Sequence, residues 1–288
     1  MKRRTFDSGD GGTVAAVVAR GLGVPAARAK ALVDTGAVYV DGRRARDGDA
    51  AVRRGAKLTV VLEEGGREVT QAPAKHPPLV VLFEDDDVIA VDKPAGVTAQ
   101  PTPGRVGDSL VDLVSARLGR EAGLVHRLDK ETSGVTVFGK QPAATRRLAA
   151  AFREGRAKKQ YLAVTAPGLP ASGRITLPLS KDPSRPGRWR ASERANGVPA
   201  ETHFTRLADG EVSVVQLFPQ TGRTHQLRAH LAAIGHPIVG DRLYGGASGP
   251  RCLLHAWKLE LDALSLVAPV PPDLRAAASA VFPGFDAR

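Results

Sequence analysis

Apolar positions along the chain change their period several times, and each change marks an element. From Thr13 to Arg20 Ala and Val gather into a short helix that Gly21 and Gly23 end. Pro25 sits where the first turn of a second helix begins, Ala26 to Thr35 is Ala-rich and helical in pattern, and Gly36 supplies a stop. Val38-Tyr39-Val40 is a β run, Asp41-Gly42 is a tight-turn signal, and Lys57 to Leu62 reads as a closing strand. Residues 12–61 are therefore two short helices followed by a few strands. Residues 63–78 turn polar, with Glu63-Glu64-Gly65-Gly66 and Pro73, Pro77 and Pro78, and read as a linker. Apolar runs then resume at Leu79–Phe83 and Val88–Val91. Strands are expected at Gly134–Gly139, Gln160–Thr165 and Glu211–Phe218, and helices at Ser109–Leu118, Pro142–Glu154 and His225–Ile234. The two kinds do not alternate strictly, so the fold class is α+β with a mixed or antiparallel sheet. Residues 181–200, rich in Pro, Arg and Gly, read as a mobile loop. The division expected is a small module at 1–62, a linker at 63–78 and a large domain at 79–288.

Composition sharpens this picture in two ways. At 288 residues, with 42% hydrophobic and 25% charged, most of the chain is expected to fold around a core. The formal charge is +11, and residues 1–57 hold twelve Lys or Arg against six Asp. That excess favours a polyanionic partner, nucleic acid before membrane, because no basic amphipathic helix stands out. No apolar run approaches the roughly 18–20 residues of a membrane span. The single Cys252 excludes an intramolecular disulfide framework and Cys-based zinc sites, and a cytoplasmic protein is expected.

Metal and nucleotide chemistry have no sequence support. The seven His form no Cys/His set and no His-Glu-x-x-His helix, and Gly-x-Gly-x-x-Gly, the P-loop pattern and Gly-x-Ser-x-Gly are absent. Three segments are chemically dense instead. The first runs from Gly123 to Gly134 and sets Asp129 between cations, with Thr132 and Ser133 following; cationic neighbours favour an ionised carboxylate. Taken alone, such an Asp is more often a solvated turn with a surface ion pair. The second is Gln220 to His230, where Arg223 stands at a helix entrance, placed to reach a carboxylate or a phosphate, and Arg228 and His230 are expected to track a nucleic-acid backbone. A charged helix face is the bland alternative. The third is Lys158-Lys159-Gln160-Tyr161, a basic pair running into a strand whose Tyr serves either the core or base stacking.

These blocks together resemble the RluA-type family of RNA pseudouridine synthases. His126-Arg127-Leu128-Asp129, two residues, then Thr132-Ser133-Gly134 is similar to that family's signature, and Lys93-Pro94-Ala95-Gly96 to its early turn. Lys159-Gln160-Tyr161, Gly197 to His203, Thr221 to Arg228, Gly235 to Asp241 and Leu253 to Ala256 follow in the family's order. Gln100-Pro101 departs from it, where a His usually precedes the Pro. The module at 12–61 resembles the small RNA-binding domain first seen in ribosomal protein S-four, through Arg28, Lys30, Gly36, Val38 and Val40-Asp41-Gly42.

The resemblance implies a cofactor-free, metal-free isomerase that converts uridine in structured RNA, large-subunit ribosomal RNA foremost, to pseudouridine; nothing in the sequence points to an oligomer, and a monomer is expected. It implies Asp129 as the catalytic carboxylate, Arg223 as its partner, and Tyr161 stacking on uracil and acting in, or relaying to, removal of the carbon 5 proton. Arg127 would occupy the gap left by the flipped base or hold the flipped strand, His126 and Thr132 would support the Asp129 loop, and Arg228 would contact RNA. Arg28, Lys30, Arg43 and Arg44 of the small module would grip phosphates. The alternative is a catalytically silent RNA-binding or ribosome-assembly protein on the same scaffold. A glycosidase would require a second carboxylate, for which only Glu131 is near.

Overall fold

The computed structural model describes residues 2–62, 78–101, 108–193 and 196–285. The chain divides into two compact units, Met1–His76 with Gln100–Leu113, and Pro77–Ala99 with Val114–Arg288. The segment read as a linker, 63–78, lies outside the described residues except for Pro78.

The smaller unit contains β1 (Lys2–Asp7), β2 (Gly12–Thr13), α1 (Val14–Leu22), α2 (Ala26–Asp34), β3 (Val38–Val40), β4 (Arg43–Arg44), β5 (Ala51–Val52) and β6 (Lys57–Leu62). Its main sheet has the order β1-β6-β3-β4, and β2 pairs with β5. Helix α1 starts because the Thr13 hydroxyl accepts the Ala16 amide at 3.3 Å, and it stops at Gly23, whose φ is +66°. Val14, Val17 and Val18 fall on its buried face, at the spacing of an amphipathic helix. Asp41 and Gly42 both have positive φ, +48° and +80°, so they form the two-residue turn that matches strand twist between β3 and β4. Strand β1 escaped the sequence reading because Lys2 to Asp7 carries one large apolar residue, Phe6, among charges; it is held at the sheet edge by pairing with β6.

The larger unit contains β7 (Val80–Glu84), β8 (Val88–Lys93), the second half of α3 (Leu110–Leu118), β9 (Gly123–Leu124), β10 (Ser133–Gly139), α4 (Pro142–Arg153), β11 (Lys158–Thr165), β12 (Ser172–Ile175), β13 (Leu179–Lys181), β14 (Trp189–Ala191), β15 (Thr202–Asp209), β16 (Ser213–Pro219), α5 (Gln226–Ala233), β17 (Leu254–Leu261), β18 (Leu264–Val267) and α6 (Pro272–Ser279). Ten strands make one sheet of order β12-β15-β16-β11-β17-β10-β8-β7, with β18 beside β17 and β9 beside β10. Strands β10 and β17 run parallel, and the other described pairings are antiparallel, which is the mixed sheet of an α+β fold.

Every residue of β10 is buried, as expected of a strand covered on both faces. Leu148 and Ala151 of α4 pack into the same core as Val135 and Val137 of β10. Each such large aliphatic contributes about 1.5–3 kcal/mol by leaving water. A second core joins Leu162 and Val164 of β11, Val215 and Leu217 of β16, Leu227 and Leu231 of α5, and Leu274 of α6.

One expectation is corrected. Within 181–200, β13 and β14 form a hairpin in register Leu179↔Ala191 rather than a mobile loop. Pro183, Pro186 and Gly187 are confined to its turn, where the Asp182 carboxylate accepts the Ser184 amide at 2.9 Å. Residues 194–195 lie outside the described residues.

Candidate active site

Asp129 stands in the loop between β9 and β10, and this loop is fixed carbonyl by carbonyl. The Asp129 carbonyl accepts the Thr132 amide at 3.1 Å. The Lys130 carbonyl accepts from the Gly96 amide at 2.8 Å and from Lys93 Nζ at 3.0 Å. Lys93 is 0% exposed and donates also to the carbonyls of Pro94 and Val97 at 2.9 and 2.7 Å. Burial pulls its ammonium down to about 7, yet three carbonyl acceptors match the three N–H groups of an ammonium and exceed the two of an amine. The Glu131 carbonyl accepts from Arg251, which is itself locked by Asp273 at 2.6 and 2.9 Å.

Two histidines complete the scaffold. His126 Nε2 accepts the Val137 amide of β10 at 3.0 Å while its ring stacks on Phe152 at 4.4 Å. Desolvation first, then the Lys159 charge, push His126 down to about 3, in keeping with a ring nitrogen that must accept. His255 Nδ1 and the Ser133 hydroxyl share a bond of 2.9 Å, and burial pushes His255 down to about 4.

The carboxylate of Asp129 meets Arg228, not Arg223. Arg228 Nη1 donates to Asp129 Oδ2 at 3.1 Å. Its other edge forms a two-point bond with Asp241, Nε to Oδ2 at 2.7 Å and Nη2 to Oδ1 at 2.9 Å. Asp241 is 1% exposed, so one buried guanidinium lies between two carboxylates. The expected pairing of Arg223 with Asp129 is corrected: Arg223 precedes α5, is exposed, and donates to the Pro199 carbonyl at 3.2 Å. The expectation that Arg228 and His230 track a nucleic-acid backbone is corrected too. Both are buried in α5, and His230 bonds Thr202 and the Leu177 carbonyl at 2.9 Å each.

The segment before α5 owes its shape to Gln226. Its side-chain oxygen accepts from the Thr221 hydroxyl and the Arg223 amide, and its nitrogen donates to the Glu201 carbonyl and Thr202 hydroxyl. His225 is consequently held in the left-handed region, at φ +56°, a conformation costing about 1–3 kcal/mol that recurs at functional sites. Its Nε2 lies 3.8 Å from Asp129 Oδ2 and its Nδ1 3.1 Å from the Tyr244 hydroxyl.

Asp129, His225 and Arg228 line a cavity of about 570 Å³ together with His126, Arg127, Thr132, Tyr161 and Arg223. The volume is in the range of small-molecule sites. Tyr161 enters from β11; burial, reinforced by the Asp129 charge, pushes its phenol well above the ordinary value, so the hydroxyl stays protonated at neutral pH. Arg127 is exposed at the rim.

A profile described as RNA pseudouridylate synthase matches residues 87–233, a span that holds Asp129, Tyr161 and Arg228. The chain belongs to the RluA-type RNA pseudouridine synthase family. It is 44% identical over 201 residues to the dual-specificity RNA pseudouridine synthase RluA of Escherichia coli K12, covering 66% of this chain and 89% of that one. It is 37% identical to ribosomal large subunit pseudouridine synthase D of Nitrosomonas europaea, over 71% of this chain and 65% of the relative. Among solved structures, human RNA pseudouridylate synthase domain containing 1 superposes with a TM-score of 0.60 at 29% identity, over 69% of this chain and 87% of that chain. A pseudouridine synthase is an isomerase, and the matched span contributes most of the residues that line the cavity.

Sequence reasoning on pseudouridine synthase blocks missed Asp241, Lys93, His225 and Arg251 as site residues. Asp241 ended a quoted block, and Lys93 and His225 lay inside others, so the signal was present without a geometry to read it. In the smaller unit, Arg28 and Arg43 are exposed, Lys30 is exposed and pairs with Asp49 at 3.5 Å, and Arg44 is half-buried, its guanidinium lying against Gly36 at φ +69°.

Proposed function

We propose that this protein isomerises uridine in large-subunit ribosomal RNA to pseudouridine, with Asp129 as the catalytic carboxylate. The observation that carries the reading is the Arg228–Asp129 pair in a cavity that also holds a protonated Tyr161. The reaction breaks the bond from uracil nitrogen 1 to the ribose, turns the base, rejoins it through carbon 5 and releases the carbon 5 proton. It needs no group donor and no net redox change. Asp129 serves the sugar, either by attack on the anomeric carbon or by taking the 2′ proton. Arg228, held by Asp241, fixes the direction in which the Asp129 carboxylate points.

Tyr161 has a phenol too weakly acidic to stand as phenolate, so it stacks on uracil and relays the carbon 5 proton as a neutral hydroxyl. The target base has to leave its stack to reach the cavity, and exposed Arg127 holds the opened strand. The names of the ribosomal relatives support the choice of RNA. The exposed cations Arg28, Lys30 and Arg43 of the smaller unit suit a salt-dependent grip on phosphates, with Arg44 beside them.

The test is tritium release from ribosomal RNA labelled at carbon 5 of uracil. The unaltered protein should release tritium, and Asp129→Ala should release none while remaining folded. Equal release from both would remove Asp129 from the chemistry, and no release by the unaltered protein from free or assembling ribosomal RNA would end the proposal.

A further inference from the structure

Helix α4 distributes its cations unequally. Ala144, Leu148 and Ala151 form its buried stripe. Arg147 lies on one flank and is paired with Asp87 at 3.0 Å. Arg146 and Arg153 are seven residues apart, so they fall nearly on one line of the helix, about 10 Å long and opposite the buried stripe. Both are exposed, and neither has an ion pair or hydrogen bond among the described residues. Only the small Ala149 and Ala150 lie between them on that line.

The line ends in the cavity, whose wall includes Ala149, Phe152 and Arg153. Around the same cavity stand Arg127, Lys159, Arg223 and Arg228, so five cations with Arg153 face a single carboxylate, Asp129. Arg228 is already matched by Asp129 and Asp241. Lys159 donates to the Thr221 carbonyl at 3.3 Å and Arg223 to that of Pro199, neutral partners that leave their charge uncompensated. The cavity wall therefore carries uncompensated positive charge, and Arg153 is the part of it that α4 contributes.

We propose that the line from Arg146 to Arg153 is a track for the phosphates of a single-stranded RNA segment leading into the cavity, with Arg153 taking a phosphate next to the flipped nucleotide. This rests on the reading that RNA is the substrate. A flipped base remains tied to its strand, so its neighbouring phosphates have to lie at the mouth. Guanidinium forks suit phosphate, and the Ala pair lets a backbone lie close to the helix. An acidic protein would match the charge equally, but it gives no reason for the line to run into the catalytic cavity.

The experiment measures binding of a short fluorescein-labelled single-stranded RNA across a salt series, for the unaltered protein, for Arg146→Gln with Arg153→Gln, and for Arg147→Gln. Each phosphate contact on a single strand contributes about 0.7 to the slope of log affinity against log salt. The double variant should lose about 1.4 of that slope, and its KM for pseudouridine formation should rise about tenfold while kcat holds. Arg147→Gln, which removes one cation on the flank, should keep the slope. An unchanged slope in the double variant, a loss of about 0.7 in Arg147→Gln, or no binding by the unaltered protein would overturn the track. Unaltered protein that binds the RNA with this pattern but makes no pseudouridine from any RNA would defeat the proposed function and leave the track standing.

Discussion

Arg228 is shared between two carboxylates that lie on different chain segments, and its position follows from that sharing. Asp241 grips it by two bonds and Asp129 by one. Removing the Asp241 charge while keeping its shape should free the guanidinium to turn onto Asp129. A hydrogen bond to a charged group contributes about 1.5–3 kcal/mol, so Asp241→Asn should lower kcat about 10- to 100-fold at little-changed KM. Steady-state tritium release reads the split, and an unchanged kcat would mean that Asp241 only fills space. At this scale the sequence was half legible. It offered Asp129 and Tyr161 as chemistry only through the ordered blocks that resemble the family, because a lone Asp between cations reads as a surface turn and a lone strand Tyr serves core or stacking alike. It assigned the Asp129 partner to Arg223 and not to Arg228, five residues on, because the pairing depends on which of them meets a carboxylate 99 residues back along the chain. Lys93 and Arg251 act through backbone carbonyls, which no sequence pattern displays.

Among the elements, β10 bears the strongest constraint. Gly134 has φ +115°, and a Cβ there would overlap the backbone of Ala256 in β17. The parallel pairing Ser133↔His255 and Gly134↔Ala256 brings those backbones together two residues after Thr132. Gly134→Ala should therefore cost about 3 kcal/mol or more of stability, seen as a lower midpoint in urea unfolding, and should depress activity through the displaced Asp129 loop. A variant as stable as the parent would show that the crossing can relax. Elements with a long apolar run or firm caps were legible: α1, α4, β8, β10 and β11 fall within a residue or two of expectation. The short pieces β2, β5 and β9 and the hairpin β13–β14 were not. Two or three residues carry no period, and the hairpin is held by remote partners such as the Tyr244 hydroxyl, which accepts the Trp189 amide at 3.0 Å.

For the whole molecule, half-buried His126 and buried His255 make stability depend on pH. His126 and His255 titrate near their ordinary 6.5 when unfolded, but only at about 3 and about 4 when folded. Below 6.5 the unfolded chain binds protons that the folded chain refuses, so stability is full above that value and is lost as pH falls toward 4. Asp92, pushed up to about 6 by burial, acts the opposite way between about 4 and 6, and two imidazoles outweigh one carboxyl. Thermal unfolding should show Tm falling from pH 6.5 to 4, and His255→Gln should flatten that dependence; a Tm that rises over this range would contradict it. The sheet order has a consequence for synthesis. Strand β17 is made late, yet it lies between β11 and β10 and is the seam joining the strands on either side. Tyr161 stands on one side of that seam and Asp129 leads into the other. A chain that ends before Leu254 lacks the strand that joins β11 to β10, so the two walls that carry Tyr161 and lead from Asp129 become one sheet only once Leu254–Leu261 has been made.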